Sequence, residues 1–233
     1  MRLRQGDYGA ETVYDDDPVA RAVEMADQGA TWIHVVDLDG ARSGRPDNAA
    51  TVAAIAAAVD VPVQAGGGVR SAETAQAWSA AGVARVVLGT AALREPALVS
   101  ALARAQSIAV GLDARAGEVA TDGWLHGSGQ SVLEVAERFA ADGVDAFVVT
   151  DISRDGTLDG PDIEGLASVL EAVATDVIAS GGVGHLADLS ALAGIEGAHG
   201  RRLSGVIVGT ALYERRFTVA EAVGLLSEGR GDL

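Results

Sequence analysis

The 233-residue chain contains no cysteine, which excludes disulfide bonds, cysteine nucleophiles and zinc–thiolate sites. It contains no lysine either, since all 17 of its basic residues are arginine. Without a lysine amine, the chain cannot form a Schiff base with a substrate or with pyridoxal phosphate. It also cannot build a P-loop, whose lysine reaches the nucleotide phosphates. These absences remove several common catalytic classes before any motif is considered.

The charge balance excludes further partners. The chain has 33 acidic residues and a formal net charge of −16, so its surface repels nucleic-acid phosphates and anionic lipids. No apolar run approaches the roughly 18 residues that a membrane-spanning helix needs, and the first residues lack the apolar segment of a signal peptide. We therefore expect a cytoplasmic protein with no nucleic-acid or membrane partner.

Short β-branched runs alternate along the chain with alanine-rich stretches of helical periodicity. This alternation predicts a parallel α/β sheet whose strands are buried on both faces. The seven predicted strands are Trp32–Val36, Val61–Gln64, Arg85–Leu88, Ser107–Leu112, Ala146–Thr150, Val177–Ser180 and Gly205–Val208. The clearest predicted helices are Val19–Gln28, Ala49–Ala58, Thr74–Ala81, Val132–Ala141 and Glu164–Val173.

Local signals mark the starts of several helices. Asp17 followed by Pro18 is typical of an N-cap with proline in the first helical position. Two further segments fit the capping box, in which a hydroxyl residue is followed three positions later by glutamate. They are Ser131 with Glu134 and Thr218 with Glu221.

The chain also carries an internal repeat. Gly67 follows Asp37 by 30 residues, and Gly181 follows Asp151 by the same 30 residues. Further landmarks match in order, which favours a duplication over the chance recurrence of glycine after strands. The matched landmarks are Pro46-Asp47 with Pro161-Asp162, and Gly89-Thr90 with Gly209-Thr210.

The repeat predicts the architecture. By its offset, the first-half counterpart of Asp113 falls at or before residue 1, and seven strands are one fewer than a (β/α)₈ barrel requires. We therefore predict a single domain over residues 1–233, a (β/α)₈ TIM barrel whose first strand is missing from this chain. Its half-barrels run over about residues 1–105 and 106–233.

Active sites of such barrels form at the carboxyl ends of the strands, where glycine pairs recur in this sequence. A Gly-Gly pair beside a Gly-Thr pair lets backbone amides approach an anion, so each half predicts a phosphate site without lysine. The alternative is that these glycines serve only tight turns. The candidate phosphate-binding residues are Gly67, Gly68, Arg70, Gly89 and Thr90 in the first half, and Gly181, Gly182, Gly209 and Thr210 in the second.

Carboxylates and one aromatic residue stand near these glycines. Asp113 and Asp155 are candidates for proton transfer, although Asp155-Gly156 also fits an ordinary turn. Thr150 could bond a substrate hydroxyl or orient a carboxyl group. Trp124 lies in a polar loop, where an exposed indole could stack on a planar ring. His34 is interpreted as a packed strand residue.

Taken together, these motifs resemble the phosphoribosylformimino-AICAR (ProFAR) isomerase family of histidine biosynthesis, including its bifunctional actinobacterial relatives. The segments that carry the resemblance are 2–8, 34–39, 66–70, 89–91, 111–113, 150–158, 179–183 and 208–213. The resemblance implies a (β/α)₈ barrel that catalyses an Amadori rearrangement of a bis-phosphorylated aminoaldose. It implies no cofactor and no metal. We expect a monomer whose partner is this small molecule.

The resemblance also implies residue roles. Asp113 and Thr150 match an essential aspartate and an essential threonine of the family, and Asp155 matches a carboxyl proposed as the general acid in relatives. Whether Asp113 or Asp155 delivers the proton stays open. The family base is an aspartate at the end of the first strand, and the chain begins a few residues after that position.

Two alternatives remain at this point. Bifunctional relatives also isomerise phosphoribosylanthranilate, and several of them carry arginine and serine where this chain has Asp122 and Gly66. A barrel without its first strand could instead be a truncated, inactive protein that only binds bis-phosphates.

Overall fold

The computed structural model describes residues 2–4 and 7–228. Its strands are β1 (Arg2–Arg4), β2 (Asp7–Thr12), β3 (Ile33–Val36), β4 (Val63–Gly66), β5 (Arg85–Leu88), β6 (Ile108–Arg115), β7 (Glu118–Thr121), β8 (His126–Ser131), β9 (Ala146–Asp151), β10 (Asp176–Ser180) and β11 (Gly205–Ile207). Its helices are α1 (Pro18–Asp27), α2 (Leu38–Ser43), α3 (Ala49–Ala58), α4 (Ala72–Ala80), α5 (Thr90–Arg94), α6 (Pro96–Ala103), α7 (Val132–Ala141), α8 (Ile163–Ala172), α9 (Leu186–Ala193), α10 (Thr210–Tyr213) and α11 (Val219–Glu228), with a 3₁₀ turn at Ala198–Gly200.

Seven parallel strands form the central sheet, in the order β11-β10-β9-β6-β5-β4-β3. They are the seven strands that the sequence predicts. Helices connect successive strands, and the sheet is nearly closed into a barrel, so the predicted fold class is confirmed. Within residues 2–4 and 7–228, β3 pairs only with β4 and β11 only with β10.

Two pairs of antiparallel strands lie outside the predicted pattern. The short antiparallel pair β1–β2 stands apart from the barrel sheet. The hairpin β7–β8 extends β6 by antiparallel pairing beyond the barrel, where the sequence indicated only a polar loop.

Side chains of the parallel strands alternate between two cores. A small cluster of Ala109, Ala146, Val148 and Ile178 fills the inside of the barrel. The larger cluster lies between the sheet and the helices and includes Phe147, the neighbour of Ala146 on β9. The larger cluster thus attaches the helices to the sheet.

The helices next to the two outer strands of the sheet, β3 and β11, contact each other. The backbone N–H of Val219, at the start of α11, donates to Oε1 of Gln28, at the end of α1, over 3.1 Å. The ring of Tyr213 stacks on that of Tyr14 with 5.1 Å between the ring centroids. The first and last helices of the barrel are therefore in contact.

The predicted helix starts are present. The Asp17 side chain accepts hydrogen bonds from the backbone of Val19 and Ala20, with Pro18 as the first helical residue. Both capping boxes form, at Ser131 with Glu134 and at Thr218 with Glu221. None of the helices in the described part of the chain is long and apolar enough to cross a membrane.

The capping box of α7 stabilises the protein to a degree that depends on pH, because its Glu134 carboxyl ionises. Hydrogen bonds from the backbone N–H and then the hydroxyl of Ser131 lower the pKa of Glu134 below its ordinary value of 4.5. This stabilisation is complete above the unfolded pKa and is lost as the pH falls through the lower folded pKa. We expect Glu134→Gln to reduce the free energy of unfolding at pH 7, with a difference from wild type that shrinks as the pH falls below 4.5. Urea unfolding at several pH values measures it, and a constant difference would contradict the argument.

Candidate active site

The predicted site residues gather at one end of the sheet, because all seven strands are parallel and end at the same face. The first glycine group follows β4 and β5, and the second follows β10 and β11. Asp113 and Thr150 lie on β6 and β9, the two strands between those groups in the strand order. The site therefore has two similar flanks and a carboxyl group in the middle.

Asp113 sits opposite Thr150 in the register of β6 and β9. The Asp113 carboxyl accepts hydrogen bonds from the side chains of Trp124 and Thr150. Burial raises the pKa of Asp113 above its ordinary value, and the two hydrogen bonds oppose that rise in part. A carboxyl held in this way retains its proton more readily than one in water, which suits it to acid catalysis.

Trp124 differs from the sequence expectation. It is half-buried, and its indole N–H is engaged with Asp113, so it is not the exposed aromatic that the polar loop suggested. The hairpin β7–β8 carries it there, and the backbone of Trp124 is left-handed, with φ of +73°. A stacking role for the indole stays a prediction.

The second glycine group forms one pocket with a carboxylate. The predicted residues that line it are Asp155, Gly181, Gly182, Gly209 and Thr210. The turn that carries Asp155 is held by Arg154, whose guanidinium pairs with Asp151 and donates to the carbonyl oxygen of Gly160. Asp155 is thus next to the second candidate phosphate site, in the turn after β9.

Both glycine pairs have a steric reason to be glycine. A Cβ on Gly68 would lie 2.5 Å from the carbonyl oxygen of Arg45, and one on Gly182 would meet the carbonyl oxygen of Gly160. Both residues also have positive φ, +72° and +81°. The turns therefore require glycine at these two positions, and this requirement is compatible with amides that face a ligand.

Within the first glycine group, Gly89 is open. A Cβ on Gly89 would meet nothing within 4 Å, so no neighbour in the described chain requires glycine there. Thr90 begins α5, and its Oγ1 accepts a hydrogen bond from the backbone of Asp122 over 2.8 Å. The exposed Arg70 lies with its guanidinium against Gly44. Phosphate binding by these residues stays a prediction.

A polar network on β3, β4 and β5 was missed at the sequence level. Nε2 of the buried Gln64 lies 2.9 Å from Nδ1 of His34, and Arg85 donates to Oε1 of Gln64 over 3.3 Å. Gln64 alternates with Val63 and Ala65, which pack towards the helices, so it points into the barrel. A glutamine in an otherwise apolar strand was the available signal. His34 is packed against this network.

Comparison with known proteins identifies relatives over almost the whole chain. A family model described as "Histidine biosynthesis protein" matches residues 1–218. A protein of Synechococcus sp. strain CC9902 is 48% identical over 232 residues, covering 99% of this chain and 90% of the relative. A protein of Brevibacillus brevis is 47% identical, covering 99% of this chain and 92% of the relative. Both relatives are named 1-(5-phosphoribosyl)-5-((5-phosphoribosylamino)methylideneamino)imidazole-4-carboxamide isomerase.

The close approach of Arg45 to Gly68 predicts a large cost for a methyl group. We expect Gly68→Ala to lower the free energy of unfolding by about 2–4 kcal/mol, from the left-handed backbone and the clash together. Gly143 is the matched control, since its φ is +82° and a methyl group there would meet nothing within 4 Å. Gly143→Ala should cost only about 1–2 kcal/mol. Equal losses in denaturant unfolding would show that the carbonyl contact does not matter.

Proposed function

Because the chain belongs to the histidine biosynthesis protein family, we propose that it is an aldose–ketose isomerase that converts ProFAR to its aminoketose by an Amadori rearrangement. One structural observation supports the proposal in addition to the sequence similarity. The buried carboxyl of Asp113, whose pKa is raised, lies on β6, one of the two central strands, and a Gly-Gly and Gly-Thr group flanks it on each side. A substrate with one phosphoribosyl group at each end matches that order.

In this proposal, Asp113 is the proton donor. Its proton passes to the ribose ring oxygen as the C1–O bond breaks, which leaves a protonated imine. Loss of the C2 proton then gives an enolamine that tautomerises to the ketone. Thr150 and Trp124 support the step, since their hydrogen bonds stabilise the Asp113 carboxylate that proton transfer leaves behind. In the family that the chain resembles, an aspartate at the end of the first barrel strand takes the C2 proton.

The phosphates are held mainly by backbone amides in this proposal. The net charge of −16 opposes a bis-phosphate at long range. Among the described residues, neither α5 nor α10 has a side-chain hydrogen bond that caps its start. This supports the proposal that their first backbone amides donate hydrogen bonds to a phosphate.

We assign the chain a single substrate. Asp122 stands where several bifunctional relatives carry arginine, and its carboxylate is 2.7 Å from Arg94 at the hairpin tip. Asp122 cannot supply the cation that arginine would offer to the carboxylate of phosphoribosylanthranilate, and the Arg94 guanidinium is already paired with Asp122. With the family's first strand and its aspartate present, we expect turnover of ProFAR and none of phosphoribosylanthranilate, measured by absorbance and fluorescence assays of the purified protein. Comparable turnover of both substrates would establish the bifunctional alternative.

The role of Asp113 is tested by substitution. We expect Asp113→Asn to lower kcat by about 10²–10⁴-fold, the range of positioned proton transfer, while ProFAR still binds in calorimetry. Asp155→Asn should act mainly on KM, because Asp155 lines the second glycine pocket. A loss under tenfold in Asp113→Asn would remove Asp113 from the mechanism. Binding without turnover even when the first strand is present would favour a barrel that only binds bis-phosphates.

The pH profile gives an independent test. Asp113 acts in its protonated form, so kcat/KM should fall as the pH rises through its raised pKa. The Trp124 hydrogen bond lowers that pKa, and its removal in Trp124→Phe should move this limb to higher pH. A pH–rate profile of both proteins measures the shift. Movement to lower pH would contradict the assignment.

A further inference from the structure

Polar contacts attach the tip of the β7–β8 hairpin to α5. Nη2 of Arg94 lies 2.7 and 2.8 Å from the two carboxylate oxygens of Asp122, which is 28 residues away in the chain. The backbone N–H of Asp122 donates to Oγ1 of Thr90 over 2.8 Å. Leu125, the next apolar residue of the tip, is 77% exposed and contributes little burial.

The backbone of this tip needs such an attachment. Residues 122–124 have three consecutive positive φ values, +58°, +65° and +73°, and two of the three residues are not glycine. Left-handed backbone at non-glycine residues persists where the surroundings hold it. Trp124 is the last of the three residues. The left-handed backbone that begins at Asp122 therefore sets the direction of the indole, which bonds to Asp113.

We propose that Arg94 and Asp122 are a positioning pair, which anchors the hairpin tip to α5 and so holds the Trp124 indole on the Asp113 carboxyl. The pair does not touch the reacting atoms and acts through Trp124. It also links the first flank of the site to its centre, because α5 begins at Thr90 of the first glycine group and the hairpin extends β6. The inference rests on the proposed function only in taking Asp113 as the catalytic carboxyl.

The size of the effect follows from exposure. The side chains of Arg94 and Asp122 are 61% and 31% exposed, so solvent and salt screen the pair. Exposed ion pairs of good geometry shift an equilibrium by about two- to fivefold. Loss of the pair should therefore release the tip two- to fivefold more often and leave the barrel folded.

The test requires no turnover. The ¹H–¹⁵N resonance of the Trp124 indole, identified by its absence in Trp124→Phe, should titrate with Asp113 in the wild-type chain. In Arg94→Gln and Asp122→Asn the amplitude of that titration should fall, and amides of residues 118–131 should exchange about two- to fivefold faster. Asparagine tolerates left-handed backbone, so Asp122→Asn removes the charge without new strain. Arg94→Lys should restore part of the amplitude.

Arg202→Gln is the matched control. Arg202 pairs with Glu196 over 3.5 Å and has a similar exposure of 57%, and it precedes β11 at the opposite end of the barrel. Its removal should leave both readouts unchanged. The proposal is overturned if the Trp124 resonance titrates equally in wild type and both tip variants, or if it does not titrate in the wild type. Failure of the isomerase assay alone would count against the proposed function and leave these readouts intact.

Discussion

The pairing of β6 with β9 is the contact on which the site depends. It is in register over six residue pairs, from Ala109 opposite Ala146 to Ala114 opposite Asp151. The same register puts Thr150 opposite Asp113, so the threonine hydroxyl reaches the carboxyl without any loop to position it. A shift by one residue would turn Asp113 towards the helices, because side chains alternate between the two faces of a sheet. The barrel core and the central carboxyl are thus specified by one ladder.

The sequence predicted the parts of the fold whose signals are local. All seven parallel strands, the capped helix starts and the bounds of α3 and α7 follow from periodicity and capping residues within about ten positions. The hairpin β7–β8 could not be predicted in the same way. Its strands are largely polar, and β7 exists because β6 continues past the barrel edge and offers a partner at Ala114 and Arg115. A pairing of that kind is a tertiary property.

The candidate site likewise has features that local sequence signals predict and features that depend on tertiary pairing. The positions of the glycine groups, Asp113, Thr150 and Asp155 at the strand ends follow from the parallel topology that the sequence indicates. The contact of Trp124 with Asp113 does not, since it depends on the left-handed turn of a hairpin that has no apolar pattern. The glycines were ambiguous for another reason. A Cβ on Gly68 would collide with the carbonyl oxygen of Arg45, whereas one on Gly89 would meet nothing within 4 Å. This difference depends on how the loops pack, which the sequence pattern does not show.

The two flanks of the site are alike, while its centre is not. In each half the carbonyl oxygen of a loop residue lies close to a glycine with positive φ, Arg45 beside Gly68 and Gly160 beside Gly182. The half-barrel interpretation of the repeat stays a prediction. The hairpin, by contrast, grows from β6 alone and brings Trp124 to one carboxyl only. A symmetric pair of anion sites can hold either end of a bis-phosphate, but an isomerisation has a direction along the substrate. In the proposed function, the asymmetric hairpin distinguishes one end of the substrate from the other, because it brings the Trp124 indole to Asp113.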